Sequence, residues 1–274
     1  GQTVQLNISE KNPDYVLLDG IKQDNTKKSW TVGTEITEGV HTIKVIDMAR
    51  NETAKTFIVD TVSPEILCLS YYNEYATISL SITETYLDYV TLDGKEITNL
   101  SFPADTLSES SHTIMAHDKA GNASSASFVV DKTAPSITLS AQYYKAGQIV
   151  SLTITDKNLD YVTLDGETNN GRNFNADELS ESEHTIIAYD LAGNYSERKF
   201  VIDRTLPSFS VNSYYKAGQT VSILNLVEKN FSNLILKKGS TTIYDGSLTN
   251  WNTNNLDEGS YSVTVFDIAG NSST

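Results

Sequence analysis

Cysteine is almost absent: Cys68 stands alone in 274 residues, so no internal disulfide can form and the disulfide-scaffold class is excluded. Positive charge is also scarce. The 20 Lys and Arg face 35 Asp and Glu, a formal charge of −15 that repels phosphate backbones and anionic lipid. Nucleic acid and membrane surfaces are therefore not expected partners. No apolar run approaches the ~18 residues a spanning helix needs, so no membrane insertion is expected. Helical apolar periodicity of useful length is missing as well. What is present is a 39% apolar fraction, enough for packed cores, and 15 tyrosines among abundant Thr, Ser, Val and Ile, a composition that leans toward strands.

Length alone would suggest one or two domains, and internal repetition changes that count. Four pentads recur: Asp47-Met-Ala-Arg-Asn51, Asp118-Lys-Ala-Gly-Asn122, Asp190-Leu-Ala-Gly-Asn194 and Asp267-Ile-Ala-Gly-Asn271, with spacings of 71, 72 and 77 residues. Asp60-Thr-Val-Ser-Pro64, Asp131-Lys-Thr-Ala-Pro135 and Asp203-Arg-Thr-Leu-Pro207 form a second series, and Tyr15, Tyr89 and Tyr161 each open a third that ends in Leu-Asp-Gly. The chain is expected to hold four units with boundaries 1–61, 62–132, 133–204 and 205–274. Gly1-Gln-Thr-Val matches Gly147-Gln-Ile-Val and Gly218-Gln-Thr-Val, which lie inside their units. The first unit thus lacks the Pro-led opening segment, the last lacks its final strand, and both ends are expected to be cut from a longer array.

Within a unit the pattern is strand-like. Val150, Leu152 and Ile154 alternate with Ser151, Thr153 and Thr155, the period of a half-buried strand. Asp165-Gly166 is a turn signal, and the pentad closes a tight hairpin in which Gly193 supplies positive φ. Short strands at such spacing predict an all-β chain: a tandem array of small immunoglobulin-like antiparallel β-sandwiches.

The Asp-x-Ala-Gly-Asn hairpin, the Asp-x-Thr-x-Pro junction and the ~72-residue period resemble tandem bacterial Ig-like repeats of Gram-positive surface or secreted proteins, over the whole chain. The resemblance implies an extracellular, secreted or wall-attached segment, and it also accounts for the scarcity of cysteine. It implies fold and location rather than an activity. Arg50 in place of the pentad glycine, and Lys237-Lys238-Gly239 in place of Leu-Asp-Gly, depart from the pattern. Gly218 to Glu228 is one residue longer than Gly147 to Asp156, which predicts a bulge.

No catalytic residue is expected. His41, His112 and His184 share one repeat position that Tyr261 takes in the fourth unit, so a structural tie to a nearby carbonyl is the expectation. His117 aligns with Ile46, Tyr189 and Phe266 as a packing variant, and Cys68 aligns with Leu139 and Val211 as a small core residue. No triad can be assembled without mixing units, and no His/Cys spacing fits zinc.

Two sets of residues remain as site candidates. Each junction is expected to gather three acids: Asp60, Glu84 and Asp118; Asp131, Asp156 and Asp190; Asp203, Glu228 and Asp267. Such oxygens could bind calcium, or each acid could serve its own turn; no other cofactor is implied. The paired tyrosines Tyr71-Tyr72, Tyr143-Tyr144 and Tyr214-Tyr215 could stack on a ligand or pack at the junctions. Trp30 and Trp251 share an aromatic core position with Phe102 and Phe174. The expected function is a non-enzymatic stalk or spacer, a monomeric rod of very roughly 150 Å from ~10 strand residues per domain plus linkers. The alternative is an adhesin segment that binds host protein, or host or cell-wall glycan, through the tyrosines or the divergent fourth unit.

Overall fold

The computed structural model describes residues 2–24 and 26–274; Gly1, which opens the first Gly-Gln-Thr-Val match, lies outside the described residues. Among the described residues there is no α-helix, only strands and two short 3-10 turns. The chain divides into two compact units, residues 1–131 and 132–274.

The first unit contains two sandwiches in succession. In the first, the strands Ile21–Lys22, Pro13–Leu18, Gly39–Asp47 and Glu52–Val59 form a four-stranded sheet that faces the pair Thr3–Gln5 and Ser29–Thr31. Val16, Leu18, Trp30, Ile36, Ile43 and Val59 fill the space between. In the second, Lys95–Ile97, Leu87–Leu92, Ser110–Asp118, Ala123–Val130 and Tyr71–Tyr72 form a five-stranded sheet. Across its core, centred on Ile78, Ile114, Phe128 and Val130, lie the pairs Glu65–Leu67 with Ser81–Thr83 and Thr77–Ser79 with Ser101–Pro103.

The second unit repeats the plan. Tyr143–Tyr144, Tyr195–Ile202, Glu183–Asp190, Leu159–Leu164 and Glu167–Thr168 form five strands opposite Ser136–Leu139, Ile149–Thr155 and Asn173–Asn175. Phe174 pairs with Val150, as Trp30 pairs with Val4, Phe102 with Ile78 and Trp251 with Val221, so the expected aromatic position is one strand register in every repeat. The fourth repeat carries Thr241–Gly246, Phe231–Lys238, Ser262–Asp267 and Ser272–Ser273. Opposite them run Ser208–Ser210 with Leu224–Val227 and Thr220–Ser222 with Asn250–Asn252. The extra residue of this repeat appears as a register shift between Ser208 and Ser210, with Asn225 at φ 52°.

Period-2 alternation explains the layers. Along Glu183–Asp190, His184, Ile186, Ala188 and Asp190 point inward and are buried, and the residues between them point outward. The Leu-Asp-Gly turns place Asp93 at φ 49° and Gly94 at φ 78°, the doubly positive geometry that suits the right-handed twist of a hairpin.

Candidate functional site

The hairpin pentad builds a compact lock. In the second repeat, Asp118 Oδ1 accepts the N–H groups of Ala120 and Asn122 at 2.9 and 2.8 Å, and Oδ2 accepts the Asn122 side-chain amide at 2.7 Å. The same amide donates to the Asp60 carbonyl of the arriving linker at 3.0 Å. The fourth repeat repeats the arrangement: Asn271 Nδ2 donates to Asp267 Oδ2 and to the Asp203 carbonyl, each at 2.7 Å. The pentad therefore closes its own turn with Asp and holds the linker with Asn.

The structure brings Asp60, Glu84 and Asp118 together in the first unit, and Asp203, Glu228 and Asp267 together in the second, with one carboxylate oxygen from each within 4.8 Å of the others. Local donors already use much of this oxygen. Glu84 Oε1 accepts Tyr86 N–H and Asp60 Oδ1 accepts Val62 N–H. Glu228 Oε1 likewise accepts Asn230 N–H, and Asp203 Oδ1 accepts Thr205 N–H. Asp156 and Asp190 lie in the second unit, where Asp156 accepts Asn158 N–H and Asp190 accepts the N–H groups of Ala192 and Asn194. Asp131 is the last residue of the first unit and is buried, its N–H bonded to the Tyr72 carbonyl.

The first and last linkers differ at one atom. Asn230 Nδ2 donates to Asp203 Oδ2 at 2.7 Å, whereas the matching residue in the second repeat is Tyr86, and Asp60 Oδ2 is buried without a hydrogen-bond partner. Burial, with Asp118, Glu84 and Glu38 nearby, pushes the Asp60 carboxyl above its ordinary value although the Val62 N–H pulls it down. Burial also acts on Asp118, but Asn122 and the turn N–H groups bring it below the ordinary range.

The tyrosine pairs separate into two kinds. Tyr72 and Tyr144 are 4% and 3% exposed, and each packs edge-on against a core phenylalanine, Phe128 or Phe200. Their hydroxyls accept backbone N–H from Leu69 and Ala141. Neither ring has a free face for a ligand, which corrects the expectation for these two residues: the strand that carries them pairs with the sheet and turns the second tyrosine inward. Tyr71, Tyr143 and Tyr215 are half-buried, and Tyr214 is 93% exposed. Tyr189 stacks on Tyr161 and lies tilted against Tyr195 on the outer face of its own sheet.

The histidine position has a partner that sequence reasoning missed. His41, His112 and His184 each place Nε2 on a carbonyl four residues back, at 2.8, 2.9 and 2.9 Å. Each Nδ1 meets the turn carboxylate of Asp19, Asp93 or Asp165, at 2.7, 2.6 and 2.6 Å. The second oxygen of each Asp accepts the N–H of the residue after the histidine. A signal was available: the fourth repeat loses the histidine and the turn Asp together, to Tyr261 and Lys238.

This arrangement defines a class, a tandem array of Ig-like β-sandwiches. Contrary to the expectation, a Ser–His–Asp order occurs within single repeats: Ser110 Oγ lies 3.3 Å from His112 Nε2, and Ser180 and Ser182 Oγ lie 3.4 and 3.5 Å from His184 Nε2. Each Nε2 is held more closely by the Ser108 or Ser180 carbonyl at 2.9 Å. No protein-family model and no curated protein matches the chain. Among solved structures the chain is similar to SGBP-B of the Bacteroides ovatus mixed-linkage glucan utilization locus, in complex with a heptasaccharide, with 14% identity over 98% of this chain and 89% of that one and a TM-score of 0.25. It is similar to a tetra-tandem repeat from the extending region of a large adhesion protein, with 16% identity over 98% and 92% and a TM-score of 0.26. It is also similar to the N-terminal eight Ig domains of Down Syndrome Cell Adhesion Molecule, with 14% identity over 95% of this chain and 44% of that one and a TM-score of 0.30. All three scores lie below 0.5, so the class rests on strand order and register. No helix among the described residues is long and apolar enough to cross a membrane.

Proposed function

We propose that the segment is a non-enzymatic, extracellular spacer of a bacterial surface protein, of the Asp-x-Ala-Gly-Asn repeat type found in Gram-positive organisms. In this reading it is built of four domains with boundaries near 61/62, 132/133, 204/205. The observation that carries the proposal is the use of the recurring motif: Asn122 and Asn271 spend their amides on the linker carbonyls of Asp60 and Asp203. In the second and fourth repeats this recurring Asn ties the hairpin to the linker that arrives from the repeat before. A panel of matrix proteins and a glycan array probed with the full chain tests this. No saturable binding is expected, and specific binding would replace the spacer with the adhesin reading.

That second reading is favoured by one observation, the exposed Tyr214 in the divergent fourth repeat. Its mark would be binding that Tyr214→Ala abolishes. For the junction acids we infer a hydrogen-bonding role in which turn and amide donors, rather than calcium, hold the carboxylates. The melting temperature is expected to be the same in calcium and in chelator, and a calcium-dependent rise would assign the clusters to metal.

A further inference from the structure

The sheet that carries the hairpin pentad presents one outward row of paired residues in every repeat. The row is Tyr15, Ile46 and Glu52 in the first repeat, Tyr89, His117 and Ala123 in the second, and Asn233, Phe266 and Ser272 in the fourth. In the third repeat it is Tyr161, Tyr189 and Tyr195. The other repeats form the same strands without three phenols, so the fold itself does not call for them.

Three observations mark this row as a site. First, the rings touch in series. Tyr161 stacks on Tyr189 with centroids 4.7 Å and planes 17° apart, and Tyr195 lies 5.6 Å from Tyr189 at 36°. Opposed cross-strand residues hold their Cβ atoms about 4.5–5.5 Å apart, so the sheet itself fixes these contacts. Among the described residues no other two tyrosine rings meet in this way. Second, the hydroxyls have no structural duty. Tyr72, Tyr144 and Tyr261 use theirs on main-chain groups, whereas no hydrogen bond among the described residues ties those of Tyr161, Tyr189 or Tyr195. Third, the row opens to solvent at one end: Tyr195 is 60% exposed, and Tyr161 and Tyr189 are half-buried.

We propose that Tyr161, Tyr189 and Tyr195 form an oxidative cross-linking site, where two neighbouring phenols couple into a dityrosine staple across the sheet of the third repeat. The oxidant is a peroxide acting through a peroxidase. Each phenol gives it one electron and one proton, and the two phenoxyl radicals join through ring carbons ortho to oxygen. The hydrogens displaced from those carbons move to the oxygens and restore both phenols. One hydrogen peroxide takes up the two electrons and two protons and becomes two waters. Rings in contact pass an electron readily, so oxidation at Tyr195 reaches Tyr161 through Tyr189. The lone Cys68 excludes an internal disulfide. A bond between Tyr161 and Tyr189, 28 residues apart, closes a loop as a disulfide would and restricts the unfolded chain. Tyr75 and Tyr214, 88% and 93% exposed, stack on no second tyrosine ring among the described residues, so a radical there couples to another molecule. The staple does not depend on the segment being a spacer.

The test treats the dilute full chain with hydrogen peroxide and a haem peroxidase, then separates monomer from covalent dimer. The monomer is expected to become lighter by two hydrogens and to gain dityrosine fluorescence. Digestion should yield a peptide pair joined from Tyr189 to Tyr161 or Tyr195. Amide exchange in Leu159–Leu164 and Glu183–Asp190 is expected to slow about tenfold in the cross-linked monomer. Tyr189→Phe keeps a ring in the middle of the row, as Phe266 does in the fourth repeat, and should lose the internal cross-link. Tyr75→Phe, outside the row, should retain it. Coupling found only between molecules, an internal bond mapped elsewhere, an equal internal yield in Tyr189→Phe, or unchanged exchange in the cross-linked monomer would each overturn the staple.

Discussion

His41 faces two acceptors, and that geometry fixes its charge. The Thr37 carbonyl can only accept, so Nε2 carries a hydrogen, and an ionised Asp19 requires a hydrogen on Nδ1 as well. The remaining face of the ring stacks on Phe57 at 5.6 Å and brings no charge. The hydrogen bond to Asp19 raises the His41 pKa above the ordinary value, and the same bond lowers that of Asp19. The His41 contribution is therefore complete below about pH 6.5, its unfolded value, and is lost as pH rises through the raised folded value. The Asp19 contribution is present above about pH 3.9 and is lost as pH falls through the lowered folded value. Asp19→Asn removes the charge and keeps the shape. Asn tolerates the φ of 50°, its oxygen can still accept Thr42 N–H, and its amide can donate to a neutral Nδ1. A hydrogen bond to a charged group contributes about 1.5–3 kcal/mol and a neutral one about 0.5–1.5. The Asp19 side chain is 42% exposed, so solvent screening reduces the difference to about 1 kcal/mol. Urea denaturation read from Trp30, 1% exposed in the first core, reports this repeat when Trp251→Phe removes the other tryptophan. The variant should fall about 1 kcal/mol below the parent at about pH 5 and converge with it at about pH 9. An equal loss at both pH values, or an unchanged pH slope, would refute the charged pair.

Arg50 occupies the pentad glycine position at φ 68°, where its ion pair with Asp14 at 3.5 Å is largely exposed. Arg50→Gly should therefore raise the first-repeat unfolding free energy by about 0.5–1 kcal/mol, read from Trp30 in urea. Tyr86→Asn should give Asp60 Oδ2 the donor that Asn230 gives Asp203 and stabilise the second repeat by about 1 kcal/mol in chemical denaturation. It should also weaken the stabilisation that the parent gains on acidification through the raised Asp60 pKa, because the folded state of the parent favours the protonated acid. Tyr144→Phe strands the Ala141 N–H and the Ser140 hydroxyl, bonded at 2.8 and 2.9 Å, and should cost about 1–2 kcal/mol by thermal unfolding followed in the near-UV.

Much of the sandwich was legible because its signals are local. Alternation along Ile149–Thr155 and Glu183–Asp190, the Asp-Gly turns and the pentad each announce themselves within ten residues. The fate of the tyrosine pairs was not legible, because it depends on a parallel pairing such as Tyr144 with Ile202, far along the chain, which no local pattern encodes. The His–Asp tie lay between these cases. Its members are about 20 residues apart and meet because Asp165 N–H bonds the Thr185 carbonyl next to His184 in the neighbouring strand. Only their joint loss in the fourth repeat linked them in the sequence.

That joint loss separates two roles within one position. In the fourth repeat the Tyr261 hydroxyl donates to the Asp257 carbonyl at 2.7 Å, four residues back, where Thr37, Ser108 and Ser180 receive the histidines. The carbonyl tie is thus constant across the repeats, while the carboxylate is kept only where an imidazole can use it. The same logic applies to the whole chain. Features common to the repeats, the pentad, the linker Asp and the inward aromatics, are occupied in folding and in joining neighbours. Binding chemistry is therefore to be sought where one repeat differs from the rest. The stack of Tyr161 and Tyr189 with Tyr195 on the third repeat and the exposed Tyr214 on the fourth are such places.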